Sequence, residues 1–135
     1  MNFLARREHS VKELQTKLVK ADFDIDEVNA VIDKLITSNL QSDQRFTENY
    51  SRYRSQRGFG SLKIRLELKE RGVSAELISQ ALDEADIDWF TLAMTVRCKR
   101  FGEQSPTDIK DRAKQQRFLQ SRGFTHEQIT ESFKT

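Results

Sequence analysis

The stretch Leu68-Lys69-Glu70-Arg71-Gly72-Val73-Ser74-Ala75-Glu76-Leu77-Ile78 decides the fold. Gly72 follows a run of helix formers, and glycine just past a helix is the residue that ends it in the left-handed region. Val73 is an apolar anchor beyond the turn. Ser74 offers a hydroxyl to the free amides of a new helix, and Glu76 places negative charge in that helix's first turn. One short segment therefore holds a helix end, a tight turn, an anchor, a cap and the next helix.

The same unit occurs twice more. Leu18-Val19-Lys20-Ala21-Asp22-Phe23 runs into Asp24-Ile25-Asp26-Glu27-Val28, and Leu119-Gln120-Ser121-Arg122-Gly123-Phe124 into Thr125-His126-Glu127-Gln128-Ile129. The copies stand about 50 residues apart, which is the signature of a repeat architecture. So short a repeat has little core of its own, so neighbours are expected to pack on each other. The expected fold is all-α: three tandem three-helix repeats at residues 1–39, 40–86 and 87–135.

Other helix signals fill in the frame. Ser10 and Glu13 form a capping box, with Val11, Leu14 and Leu18 following at helical spacing. Asp24 caps the next helix, whose stripe is Val28, Val31, Ile32, Leu35 and Ile36, and Ser38-Asn39 closes it. The second repeat opens near Ser42 or Asp43, with Phe46, Tyr50 and Tyr53 on one helix face. Gly58-Phe59-Gly60 suits a sharp turn. Leu62 and Leu66, and offset from them Ile64 and Leu68, carry the next helix; Leu77, Ile78, Ala81, Leu82 and Ala85 carry the one after.

The third repeat begins with a helix holding Trp89, Phe90, Ala93, Met94 and Val96 and ending at Phe101-Gly102. Ser105-Pro106 predicts the next helix start, with Ala113, Phe118 and Leu119 inward. Thr125 to Gln128 is a second capping box, followed by Ile129 and Phe133. The aligned sets Leu18/Leu68/Leu119, Phe23/Val73/Phe124, Val28/Ile78/Ile129 and Ile32/Leu82/Phe133 are the expected core. The first repeat leaves only residues 1–8 for its leading helix.

Composition narrows the class. One third of the 135 residues are charged, which suits slim helices with wide solvated faces. One Pro and five Gly speak against disorder and against a turn-rich β protein. Lone Cys98 has no internal disulfide partner and fits a reducing cytoplasm. No apolar run is long enough for a membrane span, and Met1 to Arg7 does not read as a secretory signal, so a cytoplasmic location is expected.

The net charge of +2 conceals blocks. Residues 8–43 balance at −4, 45–71 at +5, 72–90 at −5 and 97–122 at +5. The basic blocks surround the two aromatic turns. Arg52, Arg54, Arg57, Lys63, Arg65 and Lys69 lie about Phe59; Arg97, Lys99, Arg100, Lys110, Arg112, Lys114 and Arg117 lie about Phe101. Cations recurring at one place in two repeats point to a phosphate-bearing or acidic partner. The neighbouring Tyr53, Phe59 and Phe101 are read as core.

No catalytic constellation accompanies them, and no enzyme is expected. His9 and His126 are far apart without clustered ligands and read as surface histidines of capping regions. Cys98 reads as a small helix residue between basic ones. Gly58-Phe59-Gly60-Ser61 lacks the Gly-Lys-Ser/Thr of a phosphate loop. Asp83, Glu84, Asp86 and Asp88 lack a calcium-loop register and read as a solvated acidic helix end. Repeats without a reactive pocket argue for a surface that holds something long.

The sequence resembles the RecX family of recombinase regulators. The resemblance is carried by Ala5-Arg6-Arg7-Glu8-His9-Ser10 with Glu13-Leu14 and Leu18, and by Asp43-Gln44-Arg45-Phe46-Thr47-Glu48-Asn49-Tyr50 with Arg57-Gly58-Phe59-Gly60, Ile64, Leu68 and Gly72-Val73. Arg100-Phe101-Gly102 and Arg117-Phe118-Leu119 through Arg122-Gly123-Phe124 continue it. The resemblance implies three three-helix repeats in an elongated, curved molecule, although the first repeat of the family normally has a longer leading helix. It also implies a non-enzymatic modulator that binds the RecA–DNA filament and lowers strand exchange, ATP hydrolysis and repressor cleavage, and so acts on recombinational repair and the SOS response. No cofactor is implied, because any ATP belongs to RecA. Single- and double-stranded DNA are expected as weaker partners, and nothing demands more than a monomer. The alternative is a general helical DNA-binding protein acting as a transcription regulator, and a passive scaffold is a third class.

Overall fold

The structure, a computed structural model, describes residues 8–37 and 42–134. Among the described residues there are eight α-helices and no strand: α1 (Val11–Lys20), α2 (Ile25–Thr37), α3 (Asp43–Gln56), α4 (Ser61–Glu70), α5 (Ala75–Glu84), α6 (Trp89–Phe101), α7 (Ile109–Ser121) and α8 (His126–Ser132). The leading helix expected within residues 1–8, Glu8 apart, and the Ser38-Asn39 end of α2 lie outside the described residues.

The three aligned turns share one hydrogen-bond pattern. Phe23 N donates to Leu18 O at 3.2 Å, Val73 N to Leu68 O at 3.1 Å and Phe124 N to Leu119 O at 3.2 Å. Asp22, Gly72 and Gly123 take positive φ in the middle, at 67°, 82° and 95°. This is the Schellman arrangement, which satisfies carbonyls that a helix end would otherwise leave bare. A fourth copy ends α3, where Phe59 N donates to Arg54 O at 3.1 Å and Gly58 has φ 89°.

Helix starts follow the expected caps in most places. Ser10 and Thr125 each complete a capping box, with Glu13 and Gln128. Ser42 Oγ accepts from Arg45 N at 3.1 Å and Ser74 Oγ from Leu77 N at 3.2 Å. Asp88 caps α6, and the Thr91 hydroxyl and amide that bond to it hold its carboxyl below the ordinary carboxylate value. One start differs. α7 begins at Ile109, not at Ser105-Pro106, because the Asp108 carboxylate accepts the Asp111 amide at 2.7 Å. The Ser105 hydroxyl is turned away to the Phe133 carbonyl.

The chain divides into two compact units. Unit 1 comprises Met1–Ser51 and Glu67–Glu84, and unit 2 comprises Arg52–Leu66 and Ala85–Thr135. Leu14, Leu18, Val28, Ile32 and Leu35 form a core in unit 1; Ala93, Leu119, Phe124, Ile129 and Phe133 form one in unit 2. Eleven of the twelve aligned positions are buried; Phe23 is 50% exposed. Its turn differs from the other two. Arg71-Gly72 is seated on the start of α1, where Arg71 O accepts from Ser10 Oγ at 2.8 Å and Glu70 O from Lys12 Nζ at 3.0 Å. Gly123 is seated on the start of α4, where Leu62 N donates to its carbonyl at 2.9 Å. Among the described residues no hydrogen bond seats the Asp22 turn on another helix.

Three further expectations are corrected. Leu62 and Leu66 are 51% and 54% exposed, and the buried face of α4 is Ile64 and Leu68. Tyr53 is 51% exposed and so is no part of the core. His9 is buried rather than on the surface, with Nε2 2.8 Å from Lys17 Nζ. The segment around it is clamped on both sides, by Arg45 Nε on Glu8 Oε1 at 2.9 Å and by Ser10 on Arg71.

Candidate nucleic-acid interface

Twelve of the thirteen cations singled out in the sequence belong to unit 2, and Lys69 alone belongs to unit 1. Unit 2 holds fourteen Lys/Arg against seven Asp/Glu, a net charge of +7. Unit 1 holds nine against fourteen, a net charge of −5.

The turn after α3 builds the centre of the basic surface. Because Phe59 closes a Schellman turn on Arg54, the two side chains meet where an apolar pair usually sits. The Arg54 guanidinium lies 3.8 Å from the Phe59 ring centroid. Arg122 lies on Phe59 at 4.8 Å and on Phe118 at 5.1 Å, and Arg100 lies on Phe118 at 5.2 Å. Phe101 meets Phe118 edge-on at 5.4 Å. The result is an alternating ladder, Arg54, Phe59, Arg122, Phe118, Arg100. For Arg100 and Arg122, a ring over the guanidinium face holds the group still without using its N–H donors. Arg100 and Arg122 make no side-chain hydrogen bond or ion pair among the described residues.

The ladder depends on two glycines. Gly60 N donates to Arg122 O at 2.7 Å, which brings two backbones together. A Cβ on Gly60 would stand 2.5 Å from Gly123 O, and one on Gly123 would stand 2.3 Å from Lys63 Cβ. Any side chain at either place would push Arg122 away from Phe59.

The other cations surround this centre. On α7, Lys110, Lys114 and Arg117 fall at helical spacing on one face and are exposed, while Arg112 lies on the far side over Phe133 at 4.5 Å. Arg52, Arg57 and Lys99 are exposed, Arg54, Lys63 and Arg65 half-buried, and Lys69 is exposed in unit 1. Arg57 Nη2 donates to Tyr53 Oη at 2.9 Å. None of Arg57, Lys63, Lys99, Arg100, Lys110, Arg112, Lys114 and Arg117 is in an ion pair among the described residues. Burying a charge without a partner is costly, so such cations face solvent or a polyanion.

Arg97 leaves the set. It is 2% exposed, its Nε donates to Ser132 O at 3.0 Å and its guanidinium lies 5.2 Å from the Phe133 ring. It ties α6 to α8 and offers nothing at the surface. Arg122 enters in its place. The signal for it was present in the repeat, since Arg122-Gly123 aligns with Arg71-Gly72 and Arg71 lies over Tyr50 at 4.7 Å.

No three His, Cys, Asp or Glu among the described residues are placed to hold a metal ion. No helix among them is long and apolar enough to cross a membrane.

Comparison with known proteins places the chain among relatives along its whole length. Three family models match: RecX, first three-helix domain, over residues 1–35; RecX, second three-helix domain, over 42–82; and RecX, third three-helix domain, over 86–132. The Regulatory protein RecX of Halorhodospira halophila is 40% identical over 129 residues, covering 96% of this chain and 80% of that protein. The Regulatory protein RecX of Chromohalobacter salexigens is 42% identical over 129 residues, covering 96% and 84%. Among solved structures, a crystal structure of RecX from Lactobacillus salivarius superposes with a TM-score of 0.80 at 24% identity, covering 97% of this chain and 87% of that one. A second crystal structure, of regulatory protein RecX, gives 0.83 at 22% identity, covering 98% and 67%. At that identity the structures speak to the fold.

Proposed function

The chain belongs to the RecX family, and from that premise we propose that it regulates the RecA recombinase by binding the RecA–DNA filament. Binding lowers strand exchange, ATP hydrolysis and repressor cleavage, and so restrains recombinational repair and the SOS response in the cytoplasm. The chain acts as a non-enzymatic monomer, needs no cofactor of its own, and meets single- or double-stranded DNA mainly within the filament. One observation supports the DNA side of this reading: Lys110, Lys114 and Arg117, exposed and in no ion pair among the described residues, line the helix that carries Phe118 of the arginine–phenylalanine ladder. Guanidiniums held by rings meet phosphate oxygens without first losing side-chain freedom, and many such contacts along a polymer add.

The test is DNA-dependent ATP hydrolysis by purified RecA, with and without this chain, over a range of salt. Inhibition that fades as salt rises is expected. The double variant Lys114→Glu/Arg117→Glu, whose side chains are exposed and whose helix remains, is expected to inhibit at least tenfold less well. A wild-type chain that leaves RecA ATPase untouched, but shifts naked duplex in a sequence-selective way, would instead make it a transcription regulator.

A further inference from the structure

Among the described residues, unit 1 carries exposed apolar side chains that belong neither to its core nor to the basic surface. Val19 near the end of α1 is 47% exposed, Phe23 in the turn 50%, and Ile25 at the start of α2 49%. Ile36, 47% exposed, lies eleven residues beyond Ile25, which is three helical turns, so the two share a flank of α2. Phe23 holds the place that Val73 and Phe124 hold in the other turns, where they are 4% and 2% exposed. The same backbone turn that elsewhere buries its anchor here presents an aromatic to solvent. Asp22, Asp24, Asp26 and Glu27 rim it, all exposed and in no ion pair among the described residues.

We propose that this face docks a protein surface that is itself apolar and rimmed by lysine or arginine, and that it is the contact by which the chain holds the protein component of the filament. The inference rests on the filament-binding reading and divides the labour: unit 2 meets phosphate, unit 1 meets protein. Charge selects the occupant. Four carboxylates within six residues, on a unit of net charge −5, repel a polyanion and attract a cationic surface. Phe23, Val19 and Ile25 supply the apolar centre that such an interface needs inside its charged rim. A second copy of this chain has its cations on unit 2, and in the bound state those are committed to phosphate.

The experiment uses the full chain, labelled with a fluorophore. Its affinity is measured for RecA assembled on single-stranded DNA, and separately for the bare oligonucleotide. Two variants are compared, Val19→Ser/Phe23→Ser and Asp26→Lys/Glu27→Lys, with thermal melts to show that each folds. Both are expected to lose about tenfold or more on the filament, the scale of losing an anchoring aromatic or reversing a rim. Neither is expected to lose affinity for the bare oligonucleotide. Wild-type binding to the filament with both folded variants unchanged would overturn the proposal. So would a wild-type dimer in sedimentation that the variants dissolve, which would assign the face to a second copy. A wild-type chain that fails to bind the filament at all would overturn the filament reading first, and this proposal with it.

Discussion

Gly123 lacks a side chain for two reasons and Gly102 for one. Gly102 ends α6 at φ 90° and ψ 171°, a region that only glycine occupies readily, yet nothing lies within 4 Å of where its Cβ would be. Gly123 has φ 95° and would also drive a Cβ into Lys63, 2.5 Å from its backbone nitrogen. Alanine at 102 is therefore expected to cost only backbone strain, about 1–3 kcal/mol. Alanine at 123 is expected to cost that plus the separation of two packed backbones. Urea unfolding of the two variants measures the difference, and equal losses would mean that the approach of α4 to the Gly123 turn is looser than described. Asp22 shows the comparison from the other side. It takes the same turn with φ 67° and keeps its Cβ, and among the described residues no hydrogen bond seats its turn on another helix. Asp tolerates this conformation better than most side chains because its short polar group bonds locally.

At the scale of the helix, α4 decides how far the sequence could be read. Leu62, Ile64, Leu66 and Leu68 alternate, so two helical faces are equally apolar and periodicity alone does not choose between them. The phase is set by Leu68, whose carbonyl takes the Val73 amide and whose side chain is fully buried. One turn earlier along each aligned helix stand Leu14, Ile64 and Gln115, at 0%, 0% and 2% exposure, so the repeat itself held the answer that the local pattern lacked. The turns were legible because they are short-range chemistry repeated in three places, and the capping boxes at Ser10 and Thr125 because each closes locally. His9 and Arg97 were not, because each is buried by partners far along the chain, Ser132 for Arg97 and the Glu8–Arg45 and Ser10–Arg71 clamps around His9. The α4 assignment is checked by a pair of alanines. Leu68→Ala is expected to cost about 2–5 kcal/mol, while Leu66→Ala, 54% exposed in the wild type, is expected to stay within about 0.5 kcal/mol.

For the whole chain, the net charge of +2 divides by packing unit into +7 and −5. A net charge of +2 would forecast weak, shallow salt dependence on DNA, whereas a unit of +7 forecasts a steep one. The slope counts contacts: each phosphate neutralised on a single strand contributes about −0.7 to the change of log Kobs with log salt. Lys114 and Arg117 share the exposed stripe of α7 and have no ion pair to lose among the described residues. If both meet phosphate, Lys114→Ala/Arg117→Ala flattens the slope for a bare single strand by about 1.4. The Val19→Ser/Phe23→Ser variant, altered only in the acidic unit, leaves that slope where it was. Titrations at four or five salt concentrations separate the two, because a loss of affinity without a change of slope would come from altered folding or packing rather than from phosphate contacts. A slope that stays put in the α7 variant would move the DNA contact off α7 and toward the ladder at Phe59, where the cations are held by rings instead of lined along a helix.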